Sequence, residues 1–162
     1  MTHPADTFAV STPSECELRV TRAFNAPRRL VFEAFTNPAL VPRWLTGPGG
    51  WTMPICEIDF RVGGRFRYAW QKAGGPQMAM GGHYLEIVAP ERIVHAERFD
   101  EDWTGGETRV TTVFDEHGGV TTVTMTVRYG SQAARDGALS TGMAKGMAAG
   151  YEQLDALLAT QA

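Results

Sequence analysis

The 162 residues include 15 basic and 18 acidic side chains, for a formal net charge of −3, and 43% of them are apolar. This length and composition suit one globular domain with a single core, and the charge balance excludes a basic nucleic-acid-binding surface. Cys16 and Cys56 lie in neither a CxxC pair nor a zinc-type spacing, so we expect no metal, no cofactor and two thiols in a reducing compartment.

The N-terminal residues 1–14 are polar and contain prolines, and they lack the basic start and apolar run of a signal peptide. No apolar stretch approaches the roughly 20 residues of a membrane-spanning helix. We therefore expect a flexible tail over residues 1–14, a single domain over residues 15–162, no membrane span and a cytoplasmic location.

Alternating apolar and polar residues over 15–24 predict a first strand. Pro27 suits the first turn of a helix, and the following apolar residues recur at helical spacing. Asn37 and Pro38 end that helix, and residues 38–45 predict a second short helix before the glycines and proline of 47–50.

Strand patterns then recur between residues 51 and 129, separated by short turns, and Gly81 and Gly82 suggest a bulge in one of them. Strands joined by tight turns must be antiparallel. A helix is predicted from Ser131, its N-cap, to Ala159, with an apolar stripe at steps of three or four residues.

The predicted fold is therefore α+β: a curved antiparallel sheet of about six to seven strands wraps around one long C-terminal helix, and two short helices follow the first strand. A sheet with one apolar face needs a cover. The predicted helices are the elements that can provide it.

Four separated segments, residues 26–44, 56–68, 81–97 and 142–158, resemble the family of the activator of the heat-shock chaperone ATPase, in the START-like (SRPBCC) superfamily. The resemblance implies a helix-grip fold. The superfamily includes lipid and hormone carriers and polyketide cyclases, and the family name raises the possibility of a chaperone partner. Similar proteins often have a tryptophan in the last helix where this chain has Met147.

Strand parity directs an apolar and aromatic set of side chains towards the last helix, which suits a pocket for a small molecule. Packed core is the alternative interpretation for each of them. The candidate ligand-binding residues are Trp44, Phe66, Tyr68, Trp70, His83, Leu85, His95, Met125, Gly142, Met143, Gly146, Met147 and Tyr151. No catalytic residue or metal ligand is assigned.

Three glycines of the last helix, Gly142, Gly146 and Gly150, are spaced four apart. Either they allow the helix to pack closely on the sheet, or their missing side chains leave space for a ligand. His83 is predicted to point inward with Leu85. His95 shares a face with Glu97, whose carboxylate could orient an imidazole.

The leading hypothesis is a domain that binds a small apolar or amphipathic molecule between the sheet and the last helix. One alternative is an enzyme of the cyclase or dehydratase type, with His83, His95, Tyr68 or Tyr151 as acid and base. A second is a chaperone-cofactor-like interaction module. A homodimer through a strand edge stays open.

Overall fold

The structure is a computed structural model that describes residues 4–46, 49–101 and 106–161. Within these ranges eight strands form one antiparallel sheet in the order β1-β2-β8-β7-β6-β5-β4-β3. The strands are β1 (Ala9–Ser14), β2 (Glu17–Phe24), β3 (Trp51–Ile58), β4 (Arg65–Lys72), β5 (Gln77–Val88), β6 (Arg92–Phe99), β7 (Thr108–His117) and β8 (Val120–Arg128).

Three α-helices cover the concave face of the sheet, and the α+β helix-grip prediction is confirmed. They are α1 (Arg28–Thr36), α2 (Gln132–Ser140) and α3 (Met143–Gln161). The second short helix is only a 3-10 turn, Val41–Arg43, since Pro42 has no N–H with which to continue an α-helical ladder. Residues 47 and 48, where that helix was predicted to end, lie outside the described ranges.

The predicted tail contains a 3-10 turn, Pro4–Thr7, and strand β1, which the sequence analysis missed. Ala9, Val10 and Ser11 pair with β2, but all six β1 side chains are exposed. A strand that buries neither face has no reason to alternate apolar and polar residues. The backbone hydrogen bonds to β2 hold it in place, and it brings the sheet to eight strands.

The main core lies between the sheet, α1 and the C-terminal part of α3. Phe32 of α1 meets Phe114 of β7 edge-on with ring centroids 5.2 Å apart. Trp44 is buried and donates from Nε1 to the carbonyl oxygen of Ala34 at 2.9 Å. A second, smaller core lies under α2, around Val110 and Tyr129.

The predicted single helix over 131–159 is wrong at one point, because Gly142 divides it into α2 and α3. Ser131 is the N-cap as predicted: its side-chain oxygen accepts from the N–H of Ala134 at 3.1 Å. Gly142 has φ +82°, a left-handed conformation that side-chain-bearing residues adopt at a cost. The chain therefore turns there, and α3 begins at Met143.

We expect Gly142→Ala and Gly137→Ala to change stability in opposite directions. A Cβ would meet no neighbouring atom within 4 Å at either position, so backbone conformation decides the sign. Alanine at Gly142 should lower the free energy of unfolding by about 1 kcal/mol. At Gly137, inside α2, it should raise it by about 0.5 kcal/mol. Urea unfolding measures both, and a gain at Gly142 would contradict the left-handed turn.

In the described ranges, no helix is long and apolar enough to cross a membrane.

Candidate functional site

The most distinctive polar feature of the concave face is a pair on β6, His95 and Glu97. Alternation puts both side chains on the same face of the strand, and His95 Nε2 lies 2.7 Å from Glu97 Oε1. Their side chains are 18% and 17% exposed. The carboxylate thus holds the imidazole in one orientation while both groups keep some contact with solvent.

The pair lies at the border between the two cores. In the sheet register, His95 is opposite Tyr84 of the main core on one side and Val110 of the second core on the other. The ring of Phe66 meets the imidazole edge-on, with centroids 5.2 Å apart and planes at 89°. Neighbouring rings therefore restrict the imidazole on the sheet side.

Tyrosines lie near this pair, and their hydroxyls stay neutral at physiological pH. The ring of Tyr84 lies 6.3 Å from the imidazole, centroid to centroid. Burial is the largest cause that raises the pKa of Tyr68 well above its usual value, with smaller contributions from Tyr84, Cys56 and the carboxylate of Glu97. Burial, with a smaller contribution from the charge of Glu97, raises the pKa of Tyr129 to about 12. Neutral phenols can both donate and accept hydrogen bonds, so they can interact with ligand groups that are donors and with ligand groups that are acceptors.

Cys56 also lies on this face, opposite Tyr68 in the register. Burial raises the pKa of its thiol to about 11. The thiolate is the nucleophilic form of cysteine, so this residue is a poor candidate for covalent chemistry.

Helix α3 changes its packing along its length. Its C-terminal part is sealed: Tyr151 and Leu154 are buried, and the Tyr151 ring meets Phe24 edge-on at 5.3 Å. Its first turns are different, since Met143 and Met147 pack against the cores and yet stay half-exposed. The core-facing side chains of α3 are therefore partly exposed in its first turns and buried from Tyr151 onwards.

We use the name α3 cleft for the region of the concave face between the first turns of α3 and strands β4 and β6. It comprises the partly exposed residues His95, Glu97, Met143 and Met147 and, beneath them, the buried ring of Tyr68. The hydroxyl of Tyr129 donates to Met143 Sδ at 3.8 Å and ties the start of the helix to the end of β8. The α3 cleft thus combines a polar end on β6 with thioether side chains that adapt to different ligand shapes.

Most predicted site residues face the helix side of the sheet or belong to α3. Trp44 and Tyr151 are buried in the main core, each 2% exposed. Trp70 is half-buried and donates from Nε1 to the carbonyl oxygen of Leu45 at 2.7 Å. The other predicted residues on this face belong to or pack against the two cores, with His95 against Phe66 and Gly146 between the two methionines of α3. They are Phe66, Tyr68, Trp70, His95, Met125, Met143, Gly146 and Met147.

The predicted inward direction of His83 is wrong. His83 is opposite Arg65 and lines a groove of about 580 Å³ on the other, charged face of the sheet. The register shifts between Tyr84 and Glu86, where a bulge inserts one extra residue. Because of the extra residue, the alternation of inward and outward side chains changes by one position across the bulge. Tyr84 therefore points inward, where His83 and Leu85 were predicted to point, and Leu85 lies half-buried at the bulge.

Gly142 and Gly150 are glycine for different structural reasons. Gly142 supplies the left-handed turn described above. A Cβ on Gly150 would lie 3.1 Å from the carbonyl oxygen of Trp44, so the close approach there is to the 3-10 segment after α1 and not to the sheet. At both positions the backbone geometry by itself favours glycine.

The sequence analysis missed Tyr84 and Tyr129 as neighbours of the site, and it treated Glu97 only as a partner of His95. Alternation along β6 contains the signal for Glu97. The inward direction of Tyr84 could not be predicted because the bulge interrupts the alternation of β5. Tyr129 follows the last residue of β8, so strand alternation does not apply to it. In the described part of the chain, no three His, Cys, Asp or Glu side chains are grouped as a metal site requires.

Comparison with known proteins places this architecture in a family. The chain is similar to a protein from Rhodobacter sphaeroides, with 34% identity over 96% of this chain and 99% of that one and a TM-score of 0.90. It is also similar to a protein from Arthrobacter aurescens, at 24% identity over 94% and 91% of the two chains and a TM-score of 0.83.

An HSP90 activator from Plasmodium falciparum shares the fold at 24% identity, over 70% of this chain and 73% of that one, with a TM-score of 0.53. Comparison with curated proteins returns no match. The family model for Activator of Hsp90 ATPase homolog 1-like protein matches residues 25–159. The chain therefore belongs to the Activator of Hsp90 ATPase homolog 1-like family.

Proposed function

We propose that this domain binds a small molecule with an apolar body and a polar end in the α3 cleft. The observation that carries the proposal is the difference between the two halves of α3. Around Tyr151 the helix is buried against the core, whereas Met143 and Met147 pack against the cores and yet remain partly exposed to solvent. Solvent-accessible space beside apolar side chains and a few polar groups is typical of ligand sites.

Native mass spectrometry of the purified protein tests this directly. A stoichiometric adduct, extracted and identified as an amphipathic molecule, supports the proposal and gives its chemical class. A protein that stays free of adduct after incubation with an excess of a neutral apolar probe, N-phenyl-1-naphthylamine, contradicts it.

We expect Met147→Trp to weaken binding of that probe about tenfold or more, the equivalent of about 1.4 kcal/mol. The larger side chain would fill space on the sheet side of α3. The matched control is Lys145→Trp, which adds an indole to an exposed position of the same helix. Fluorescence titration measures both variants, and equal affinities would show that the probe binds outside the α3 cleft.

One observation favours a second candidate, an enzyme that moves protons. His95 is held by Glu97 at 2.7 Å, the arrangement in which a carboxylate orients a general base, and the neutral hydroxyls of Tyr68 and Tyr84 are nearby. The two other candidate acid–base residues lie elsewhere: His83 lines the outer groove, and Tyr151 is buried in the main core. Mass analysis of the molecules bound to the wild type and to His95→Gln tests this candidate: turnover predicts a product on the first and its precursor on the second, and identical molecules count against it.

A chaperone-cofactor-like role receives less support from the surface. The exposed large apolar side chains of the described residues are spread over four strands and one loop instead of forming one patch, which an interaction site would favour. They are Val10, Ile55, Val62, Met78, Val88 and Val120.

A further inference from the structure

We propose that the α3 cleft selects amphipathic ligands whose polar end is a cation, such as an alkylammonium group. This inference rests on the proposed function, and it names the class of ligand that the site would prefer. It is carried by the charge and the aromatic surroundings of Glu97.

The His95–Glu97 pair presents acceptors and a negative charge. When the imidazole is neutral, its Nε2–H donates to Glu97 Oε1, and both Nδ1 and the second carboxylate oxygen remain as acceptors. The pair then has a net charge of −1. An ammonium group, which has three donors and no acceptor, complements it.

The arginines next to Glu97 along the sheet face away from it. Arg98, the following residue on β6, lines the outer groove, and Arg109 is opposite Ala96 in the register, on that same outer face. Arg65 and Arg67 on β4 face the opposite side of the sheet, where they line the outer groove. Arg22 is on the concave face, but Asp155 accepts from both of its terminal nitrogens, at 2.9 and 2.6 Å. The negative charge of Glu97 is therefore available to a ligand.

Aromatic rings border the same end of the α3 cleft. The His95 ring, whose imidazole contacts Glu97, lies 5.2 Å from the Phe66 ring and 6.3 Å from the Tyr84 ring, centroid to centroid. Phe66 packs against Tyr68 with centroids 5.1 Å apart. Aromatic faces near a carboxylate are the surroundings that bind ammonium groups through cation–π attraction.

The apolar part of the α3 cleft would hold the ligand's body. Met125, Met143 and Met147 have flexible side chains that adapt to alkyl or aromatic groups. Bringing such a body into the α3 cleft expels water from around Glu97, which strengthens its attraction for a cation and its repulsion of an anion.

Calorimetric titration with decylamine, decanol and decanoate tests the inference, because the three probes differ mainly in the polar end. We expect decylamine to bind about tenfold or more tightly than decanol, and decanoate to bind most weakly. Glu97→Gln keeps the shape of the side chain and an oxygen that can accept from His95, and it removes the charge. It should weaken decylamine binding about tenfold and leave decanol binding unchanged.

Glu152→Gln is the matched control, since it makes the same change in net charge on the exposed side of α3 and should leave all three affinities unchanged. The comparison of probes on the wild type does not depend on any variant folding. Decanol binding as tightly as decylamine overturns the inference and leaves the proposed function standing, as does a Glu97→Gln variant that keeps the preference. Failure of all three probes to bind overturns both.

Discussion

Asp155→Asn is expected to lower the free energy of unfolding by about 3 kcal/mol, the lower end of the cost of breaking a buried ion pair. Arg22 on β2 is 1% exposed, and Asp155 on α3 is 27% exposed. Both carboxylate oxygens accept hydrogen bonds from the guanidinium, and the guanidinium carbon also lies 4.7 Å from the centroid of the Phe24 ring. Without the carboxylate, the buried charge of Arg22 loses its counter-ion.

Urea unfolding at neutral pH measures this change, with Glu152→Gln on the exposed side of α3 as the control. The double variant Arg22→Met with Asp155→Leu should recover most of the loss, because replacing both members of a buried pair by apolar groups removes the unpaired charge. A loss below about 1 kcal/mol for Asp155→Asn, the range of exposed pairs, would show that water reaches Arg22.

The second large effect is expected at alkaline pH. The chain has four tyrosines, and burial is the largest cause that raises the pKa of each of them: Tyr68, Tyr84, Tyr129 and Tyr151. In the unfolded chain they ionise near pH 10. Above that pH the unfolded state binds fewer protons than the folded state, so the free energy of unfolding falls as pH rises.

Each tyrosine contributes about 1.4 kcal/mol per pH unit to this fall, and the four together contribute at most about 5.5 kcal/mol per unit. The loss begins near the unfolded pKa of about 10 and continues until each folded pKa is reached. Domains typically have a free energy of unfolding of about 5–15 kcal/mol, so a rise of a few pH units at this rate is enough to unfold the protein. We therefore expect cooperative unfolding between about pH 11 and pH 13.

Phenolate absorbance and circular dichroism, recorded together during an alkaline titration, check this prediction. The two signals should change at the same pH, and Tyr151→Phe should make the fall in stability less steep by about a quarter. Phenolate absorbance that rises near pH 10 with an unchanged dichroism spectrum would contradict the burial of these side chains.

Sequence patterns predicted the elements whose signal is local. The alternation of β2 and β4, the N-cap at Ser131 and the apolar stripe of α3 each follow from which side chains must be buried. Strand β1 was not predicted because its side chains are all exposed, so burial imposes no alternation on its sequence. The helix break at Gly142 was not predicted because a single glycine lowers helix stability by only about 1 kcal/mol relative to alanine and often occurs within a continuous helix.

The candidate site was predictable only in part. Alternation along β6 by itself placed His95 and Glu97 on one face. The direction of His83 depended on a bulge at Tyr84 that involves hydrogen bonds between two strands, and such pairing is invisible in a single run of residues.

By itself, the sequence determined an antiparallel sheet, an amphipathic helix to cover it and the face of each regular strand, because these follow from the periodicity of burial. Tertiary structure alone decided that Asp155 neutralises Arg22, 133 residues away, and that α3 is sealed around Tyr151 but accessible around Met147. Those outcomes depend on how distant segments fill the space between helix and sheet, and packing of that kind has no signature in local order.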